Sequence, residues 1–231
     1  MPAPDDLPPC PEQGRNQPQS ARARRRKTGR DRRRLAPDDR RAQIIDGAIS
    51  FFAEVGLEGT TRELARRLGV TQSLLFKYFS SKTELLEAVY EVVYLDRLSP
   101  DWPALIADRD TPIRERLVRF YAAYGRAIFT YEWMRIFMFS GLAGAALNQR
   151  YLSHLSALIL QPLRDEIAAC SQNPPNMEDM WNLHGGVVYI GIRRYVYQMP
   201  TPDDDLPAIE AAIDRFLAAC QTEGAAARDH A

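Results

Sequence analysis

The sequence predicts an all-α fold, with a small helical module in its N-terminal part and a larger helical bundle after it. From about residue 37 onward, apolar residues recur at three- and four-residue spacing, the period of helices with one buried face. Glycine, proline and hydroxyl-bearing residues fall where such helices begin and end. No segment alternates apolar and polar residues as a strand does. With 231 residues, 45% of them hydrophobic, the chain can bury a substantial core.

Residues 1–36 are rich in proline, glutamine and arginine and lack apolar periodicity, so we expect a disordered tail. The whole chain has no net charge, yet Arg15–Arg41 holds 12 basic and 3 acidic residues. This excess favours an anionic partner at one end of the protein. The segment is either an arm that binds phosphates or enters a minor groove, or a passive solvated tail, and both interpretations remain open.

The N-terminal module is predicted to span residues 37–90. Its first helix has Asp38 or Asp39 as its predicted N-cap. Isoleucine, alanine and phenylalanine side chains then repeat at helical spacing, which predicts one buried face. Gly56 follows this pattern and is expected to end the helix, because glycine readily adopts the left-handed conformation found there.

Two short helical patterns joined by a tight turn come next. Thr60 or Thr61 caps the first pattern, Gly69 supplies the turn, and Thr71 caps the second. Two short helices arranged in this way form a helix-turn-helix, which lays its second helix in the major groove of DNA. The module is therefore predicted to bind DNA.

A fourth helix, capped by Ser80 or Ser81, is expected to run to about Leu98, where Pro100 and Pro103 break it. Residues 91–231 are predicted to form the helical bundle. Its helices are expected from Pro112, as a first helical residue, to about Phe129, and then over residues 131–143, 145–170, 177–198 and 206–221.

Several spaced elements recur between Ala42 and Val89. They are Phe52–Gly56, Thr60 and Thr61, Leu64 and Ala65, Gly69 to Thr71, Phe76–Phe79, and Ser81 and Lys82 with Leu85. Together they resemble the N-terminal domain of the TetR (tetracycline-repressor) family of transcriptional regulators. The resemblance covers about a fifth of the chain. That family usually has tyrosine where this chain has Phe76, so one common phosphate contact is missing.

Nine side chains of this module are predicted to meet DNA: Thr60, Thr61, Arg62, Thr71, Gln72, Ser73, Lys77, Tyr78 and Lys82. Gln72 can bind adenine through N6 and N7, and Ser73 can bind any base edge. Lys77 and Tyr78 are expected on phosphates, as is Lys82 at a helix N-terminus. The alternative for each is an ordinary cap or a solvated surface residue.

Two apolar stripes lie near the C-terminus, and the resemblance implies that the last two helices of each subunit form a homodimer interface. The predicted interface residues are Trp181, His184, Val188, Ile213, Phe216 and Leu217. Such a dimer would place two recognition helices about one DNA turn apart on a palindrome. An intramolecular core is the alternative.

The middle helices are rich in aromatic residues, and the resemblance implies that such side chains hold a small-molecule effector. The candidates are Tyr121, Tyr124, Trp133, Phe137 and His154. An aromatic stripe is also typical of a plain hydrophobic core, so both interpretations stay open.

Neither catalysis nor a cofactor is expected, because the sequence has no glycine-rich phosphate loop, nucleophile motif or cluster of metal ligands. No apolar run reaches ~18 residues, so neither a membrane span nor a membrane partner is expected. The three cysteines, Cys10, Cys170 and Cys220, are far apart and odd in number, which favours a reducing cytoplasm.

The leading prediction is a ligand-responsive transcriptional regulator, in most such proteins a repressor, that binds a palindromic double-stranded operator as a homodimer. One alternative is a ligand-independent protein that binds DNA with weak sequence preference through its arginine-rich arm. Another is a helical carrier of small molecules.

Overall fold

A computed structural model describes residues 36–144 and 146–221, and within them the chain forms eleven α-helices and no strand. The predicted all-α class is therefore confirmed for this part of the chain. The prediction of a disordered arginine-rich tail, apart from Ala36, lies outside the described residues. None of the described helices is long and apolar enough to cross a lipid bilayer.

Most of the helices are separated by short connections, and the chain is continuously helical over residues 146–168. They are α1 Pro37–Val55, α2 Thr61–Leu68, α3 Gln72–Tyr78, α4 Lys82–Tyr90, α5 Trp102–Ala107, α6 Ile113–Ile128, α7 Tyr131–Leu142, α8 Ala146–Leu155, α9 Gln161–Ala168, α10 Met177–Tyr195 and α11 Leu206–Gln221. Two of them, α4 and α8, continue directly into π-helical segments, Glu91–Leu95 and Ser156–Leu160 respectively. The boundary predicted between residues 90 and 91 stays a prediction, and the backbone remains helical across it.

Three details of the helix starts differ from the sequence predictions. Ala36, not Asp38 or Asp39, is the N-cap of α1, and it makes no side-chain capping bond. The two aspartates lie in the first turn, where their negative charge interacts favourably with the positive end of the helix dipole. Pro112 is the N-cap of α6 rather than its first residue. Helix α5 was not predicted, because Pro103 was interpreted as a breaker.

Helix α1 packs against α2 and α4 of the N-terminal module and also against α7 of the bundle. The α1–α7 contact contains a hydrogen bond of 2.6 Å from Nε of Arg135 to the carbonyl oxygen of Ala53. The Arg135 guanidinium also lies 5.2 Å from the ring centroid of Phe139. A Cβ added to Gly56 would come within 3.2 Å of that same ring. Helix α7 therefore fits closely against the C-terminal end of α1.

One ion-pair network lies inside the bundle, where α5, α6 and α9 meet. The buried Arg116 donates from Nη1 to the Ile106 carbonyl at 2.5 Å and to Oε2 of Glu166 at 2.9 Å. The more exposed Arg109 donates to Oε1 of Glu166 at 2.8 Å. Hydrogen bonds from Arg109 and then Arg116 lower the pKa of Glu166 to about 2.

Candidate nucleic-acid interface and bundle cavity

The turn between α2 and α3 depends on Gly69, whose φ of +65° lies in the left-handed region. A side chain is disfavoured there by its own backbone, although a Cβ would meet no atom within 4 Å. After the turn, the N–H of Val70 donates to the carbonyl of Ala65 at 3.0 Å. The backbone thus ends α2 and starts α3 within a few residues, as the sequence predicts for a helix-turn-helix.

Side-chain caps fix where α2 and α3 begin. Thr60, rather than Thr61, caps α2: its Oγ1 accepts from the Glu63 N–H at 3.2 Å. The Glu63 carboxylate accepts from the Thr60 N–H at 2.9 Å, which completes a capping box and lowers the pKa of Glu63. Thr71 is the N-cap of α3, as predicted, because its Oγ1 accepts from the Leu74 N–H at 3.2 Å.

The start of α4 has a related but shifted arrangement. Ser81 is the N-cap, and its Oγ accepts from the Glu84 N–H at 3.1 Å. The Glu84 carboxylate reaches Ser80 instead, accepting from its N–H at 2.7 Å and from its Oγ at 2.6 Å. These bonds lower the pKa of Glu84. Both serines are therefore used, which places Lys82 as the first residue of α4.

Burial decides which face of α3 is outward. Leu75 and Phe79 are fully buried, together with Leu64 of α2, so the opposite face of α3 is accessible. Of the nine predicted DNA contacts, five are exposed and four are partly buried. The exposed ones are Thr60, Arg62, Thr71, Ser73 and Lys77, and the partly buried ones are Thr61, Gln72, Tyr78 and Lys82.

Two side-chain contacts join some of these residues. Nε2 of Gln72 donates to Oγ1 of Thr61 at 3.0 Å, which links the start of α3 to the start of α2. The hydroxyl oxygens of Thr71 and Ser73 lie 3.0 Å apart. The same helix also exposes Phe76, which keeps 41% of its accessible surface and was not included among the predicted contacts. In the sequence, Phe76 is recognisable as an apolar residue outside the buried stripe that Leu75 and Phe79 form on α3.

The bundle contains a cavity of about 240 Å³ between α6, α7, α8 and α10. Its lining residues are Tyr124, Trp133, Phe137, Tyr151, Leu152, Trp181, His184, Gly185 and Val188. The Trp133 and Phe137 rings are stacked, with centroids 4.9 Å apart. The lining that the cavity presents is almost entirely carbon. The structure thus brings aromatic side chains from four helices around one space.

The polar atoms of this cluster are turned toward each other. The hydroxyl oxygens of Tyr124 and Tyr151 lie 2.8 Å apart, and the Tyr124 hydroxyl lies 3.4 Å from Nε2 of His184. Burial raises the pKa of both phenols and lowers the pKa of His184 to about 4, so its imidazole is neutral at pH 7. Within the described residues, Nε1 of Trp133 and Nδ1 of His184 are buried without a hydrogen-bond partner.

Three of the five predicted effector residues, Tyr124, Trp133 and Phe137, line this cavity. Tyr121 is fully buried beside it, with its ring centroid 6.1 Å from that of His184. His154 is exposed and lines a different space next to Trp102. The structure therefore separates His154 from the other four.

The six residues predicted for a dimer interface lie in different surroundings. Trp181, His184 and Val188 line the cavity of the single chain. Ile213 is fully buried within one chain, so a partner subunit can gain no contact with its side chain. Phe216 and Leu217 on α11 remain half-buried. The intramolecular alternative thus accounts for Ile213, and the interface stays a prediction for α10 and α11.

Sequence reasoning missed Tyr151, Leu152 and Gly185 as cavity residues. The signal for Tyr151 was present, because Asn148, Tyr151 and Leu155 are buried at three- and four-residue spacing on one face of α8. His154 lies off that stripe. For Gly185 no side chain was available to mark the position, and only the packing of α10 shows that its backbone lines the cavity.

Comparison with known proteins gives a match in the N-terminal module. The family model described as bacterial regulatory proteins, tetR family, matches residues 44–89. The tetracycline repressor protein class A from transposon 1721 of Escherichia coli is 33% identical over 85 residues, which cover 33% of this chain and 39% of that protein. The HTH-type transcriptional regulator BetI of Burkholderia lata is 38% identical over 85 residues, with coverages of 36% and 43%. The chain thus aligns with less than half the length of these relatives.

Solved structures extend the likeness to most of the chain. A TetR-like transcriptional regulator from Rhodococcus sp. RHA1 has a TM-score of 0.62 at 21% identity, over 80% of this chain and 99% of that one. AmtR of Mycobacterium smegmatis has a TM-score of 0.61 at 20% identity, over 81% and 88%. At such identities the likeness shows a shared fold, and it includes the bundle that carries the cavity.

Proposed function

The chain belongs to the TetR family of bacterial regulatory proteins through its residues 44–89, and on that premise we propose that it is a transcriptional regulator that binds operator DNA. The observation that carries the proposal is the orientation of α3. Leu75 and Phe79 are fully buried, so the helix that follows the Gly69 turn directs Thr71, Ser73 and Lys77 outward. A helix with this connection to its predecessor fits the major groove.

The chemistry of the outward side chains suggests a division of roles. Gln72 and Ser73 are proposed to contact base edges, and Gln72 would exchange its bond to Thr61 for one to adenine. The exposed Phe76 would add an apolar contact to a thymine methyl group. Lys77 and Tyr78 are proposed on phosphates. Thr60, Thr61, Arg62 and Lys82, at the starts of α2 and α4, are also proposed on the phosphate backbone.

We further propose that the protein acts as a homodimer through α10 and α11. Trp181, Phe216 and Leu217 are only half-buried in one chain, and Tyr189 on α10 keeps 48% of its surface exposed. Apolar surface of this kind favours association with a second copy. A two-fold dimer would read a palindrome whose half-sites lie about 34–36 Å apart.

The proposed control by a small molecule uses helices shared by the cavity and the DNA-binding module. Helix α7 lines the cavity through Trp133 and Phe137 and contacts α1 through Arg135. Tyr94, in the π-helical continuation of α4, lies with its ring centroid 5.5 Å from that of Trp133. An effector that binds one spacing of the two recognition helices better than another would change operator affinity by the ratio of its two affinities. We propose repression, relieved by the effector, in the cytoplasm where the operator DNA lies.

The test is selection of bound sites from a random pool of double-stranded DNA near physiological salt. We expect an enriched palindrome. Gln72→Ala should then weaken binding to that site by about tenfold to a hundredfold while affecting random DNA little. Lys77→Ala should weaken binding to both DNAs and reduce the slope of the salt dependence by about one. Gln149→Ala, an exposed glutamine on α8, is the matched control and should change neither.

Enrichment without a palindrome would overturn the homodimer. Salt-sensitive binding without enrichment, unchanged by Gln72→Ala but lost on deletion of residues 1–35, would favour the arginine-rich arm as the DNA contact. Binding of small molecules with no DNA affinity at all would favour a carrier. In that case the regulator proposal fails.

A further inference from the structure

We infer that the bundle cavity takes an uncharged aromatic molecule of one or two rings, and that Gly185 keeps its entrance open. This inference rests on the proposed function only in treating the cavity ligand as the effector. The lining of the cavity carries no charged side chain. None of its nine residues is a carboxylate, lysine or arginine, and the surface they present is almost entirely carbon.

A charged ligand would therefore lose its hydration without gaining a counter-ion. His184 is the single titratable nitrogen in the lining, and burial lowers its pKa to about 4. It is neutral at pH 7 and offers no positive charge to a carboxylate or a phosphate. The hydroxyls of Tyr124 and Tyr151 are engaged with each other at 2.8 Å. An ion in this space would be an isolated charge in an apolar medium, which is strongly unfavourable.

Size and shape point to a small ring system. The cavity volume of about 240 Å³ exceeds the ~150 Å³ of an apolar cavity that accommodates benzene. The walls include the stacked pair Trp133 and Phe137, and Trp181 stands edge-on to His184 with centroids 5.9 Å apart. Aromatic walls interact best with a flat ring in offset-stacked or edge-to-face geometry. One or two fused rings satisfy both the volume and the walls.

Gly185 and its neighbour give a direct way to test the location. Gly185 lines the cavity and is exposed, so it lies at the entrance. A Cβ added there would meet no atom within 4 Å, and the same is true at Gly186. Gly186 does not line the cavity. Successive residues of a helix point about 100° apart, so a leucine enters the cavity mouth from position 185 but not from 186. Both substitutions replace a poor helix former.

The experiment is isothermal titration calorimetry of the full-length protein at pH 7.5 with three probes that share the naphthalene ring system and differ in charge: 2-naphthol, 2-naphthoate and 2-naphthylmethylammonium. We expect 2-naphthol to bind once per chain, and both ions to bind at least about tenfold more weakly. Gly185→Leu should abolish binding of 2-naphthol. Gly186→Leu should retain it within about twofold, because its side chain points about 100° away from that of position 185.

Equal or tighter binding of either ion, or no binding of 2-naphthol, would overturn the uncharged-ligand inference. Retained binding of 2-naphthol in Gly185→Leu would overturn the inference that the ligand enters the bundle cavity beside Gly185. These outcomes are separate from the fate of the proposed regulator, because calorimetry requires no DNA. Operator selection on the same preparation reports that function independently, so a failure of either proposal is recognisable without the other.

Discussion

Replacing Glu166 by glutamine tests the most deeply placed ion-pair network of the bundle. The substitution keeps the shape but removes the charge that faces Arg109 and Arg116. The pKa of Glu166 falls from an ordinary value of 4.5 to about 2, and a pKa unit corresponds to about 1.36 kcal/mol. The full shift therefore corresponds to about 3.4 kcal/mol of stabilisation of the folded state. Because the Arg109 side chain is 74% exposed and partly screened, we expect a loss of about 2–3 kcal/mol at pH 7.

The stabilisation by Glu166 depends on pH. The folded-state pKa of Glu166 is depressed, so its contribution is complete above about pH 4.5 and is lost as the pH falls toward 2. Urea unfolding followed by circular dichroism should therefore show the largest difference between wild type and Glu166→Gln at pH 6–7. The difference should shrink steadily between pH 4.5 and 2. Buried Arg116 contributes in the same direction, since it loses its counter-ion.

Glu115→Gln is the matched control, because Glu115 pairs with Arg119 on the exposed side of α6. It should leave the urea midpoint unchanged at every pH. An equal difference at pH 3 and pH 7 for Glu166→Gln would refute the electrostatic origin of the effect. A stability equal to wild type at pH 7 would show that the network contributes nothing.

Three further predictions concern the helix-turn-helix, and each is checked by the urea midpoint of unfolding. Gly69→Ala should lower the free energy of unfolding by about 1–2 kcal/mol through backbone strain alone, because φ is +65° and the added Cβ meets no neighbouring atom. An unchanged midpoint would contradict this. Thr60→Ala should cost about 1 kcal/mol, while Thr61→Ala, which removes no cap, should cost less. Leu75→Ala should lower the free energy of unfolding by about 2–5 kcal/mol and weaken operator binding, because removal of a fully buried side chain leaves a cavity. A midpoint within error of wild type would show that Leu75 is not packed in the core.

The helices and the turn of the N-terminal module could be predicted from sequence because their signals are local. Thr71 and Gly69 act within a few residues, and a cap or a left-handed glycine is recognisable from its neighbours. A local signal gave a wrong prediction in one place. The sequence predicts that Pro103 ends a helix, whereas it occupies the first turn of α5, where a missing N–H costs nothing. Whether a proline breaks or starts a helix depends on the residues after it.

The cavity could be predicted only in part, because it depends on which helices face each other. The sequence marks Trp133 and Phe137 as an aromatic stripe, but an identical stripe would suit a dry core. Tyr151 comes 27 residues after the Tyr124 that it contacts, a separation no periodicity encodes. The apolar stripe containing His184 was assigned to a dimer interface for the same reason. Periodicity shows that a face is covered, and only tertiary packing shows by what.

Helix α7 carries two pairs of side chains with different duties on different faces. Trp133 and Phe137 are four residues apart and line the cavity, while Arg135 and Phe139, also four apart, meet α1. The two pairs are offset by two residues, or about 200° around the helix. The cavity lining and the contact with α1 can therefore be varied separately, although Trp133 also meets Tyr94 in the continuation of α4. On the proposed function, a library randomised at positions 133 and 137 would vary the ligand preference of the cavity while the Arg135 contact with α1, which a genetically encoded sensor needs for its output, stays in place.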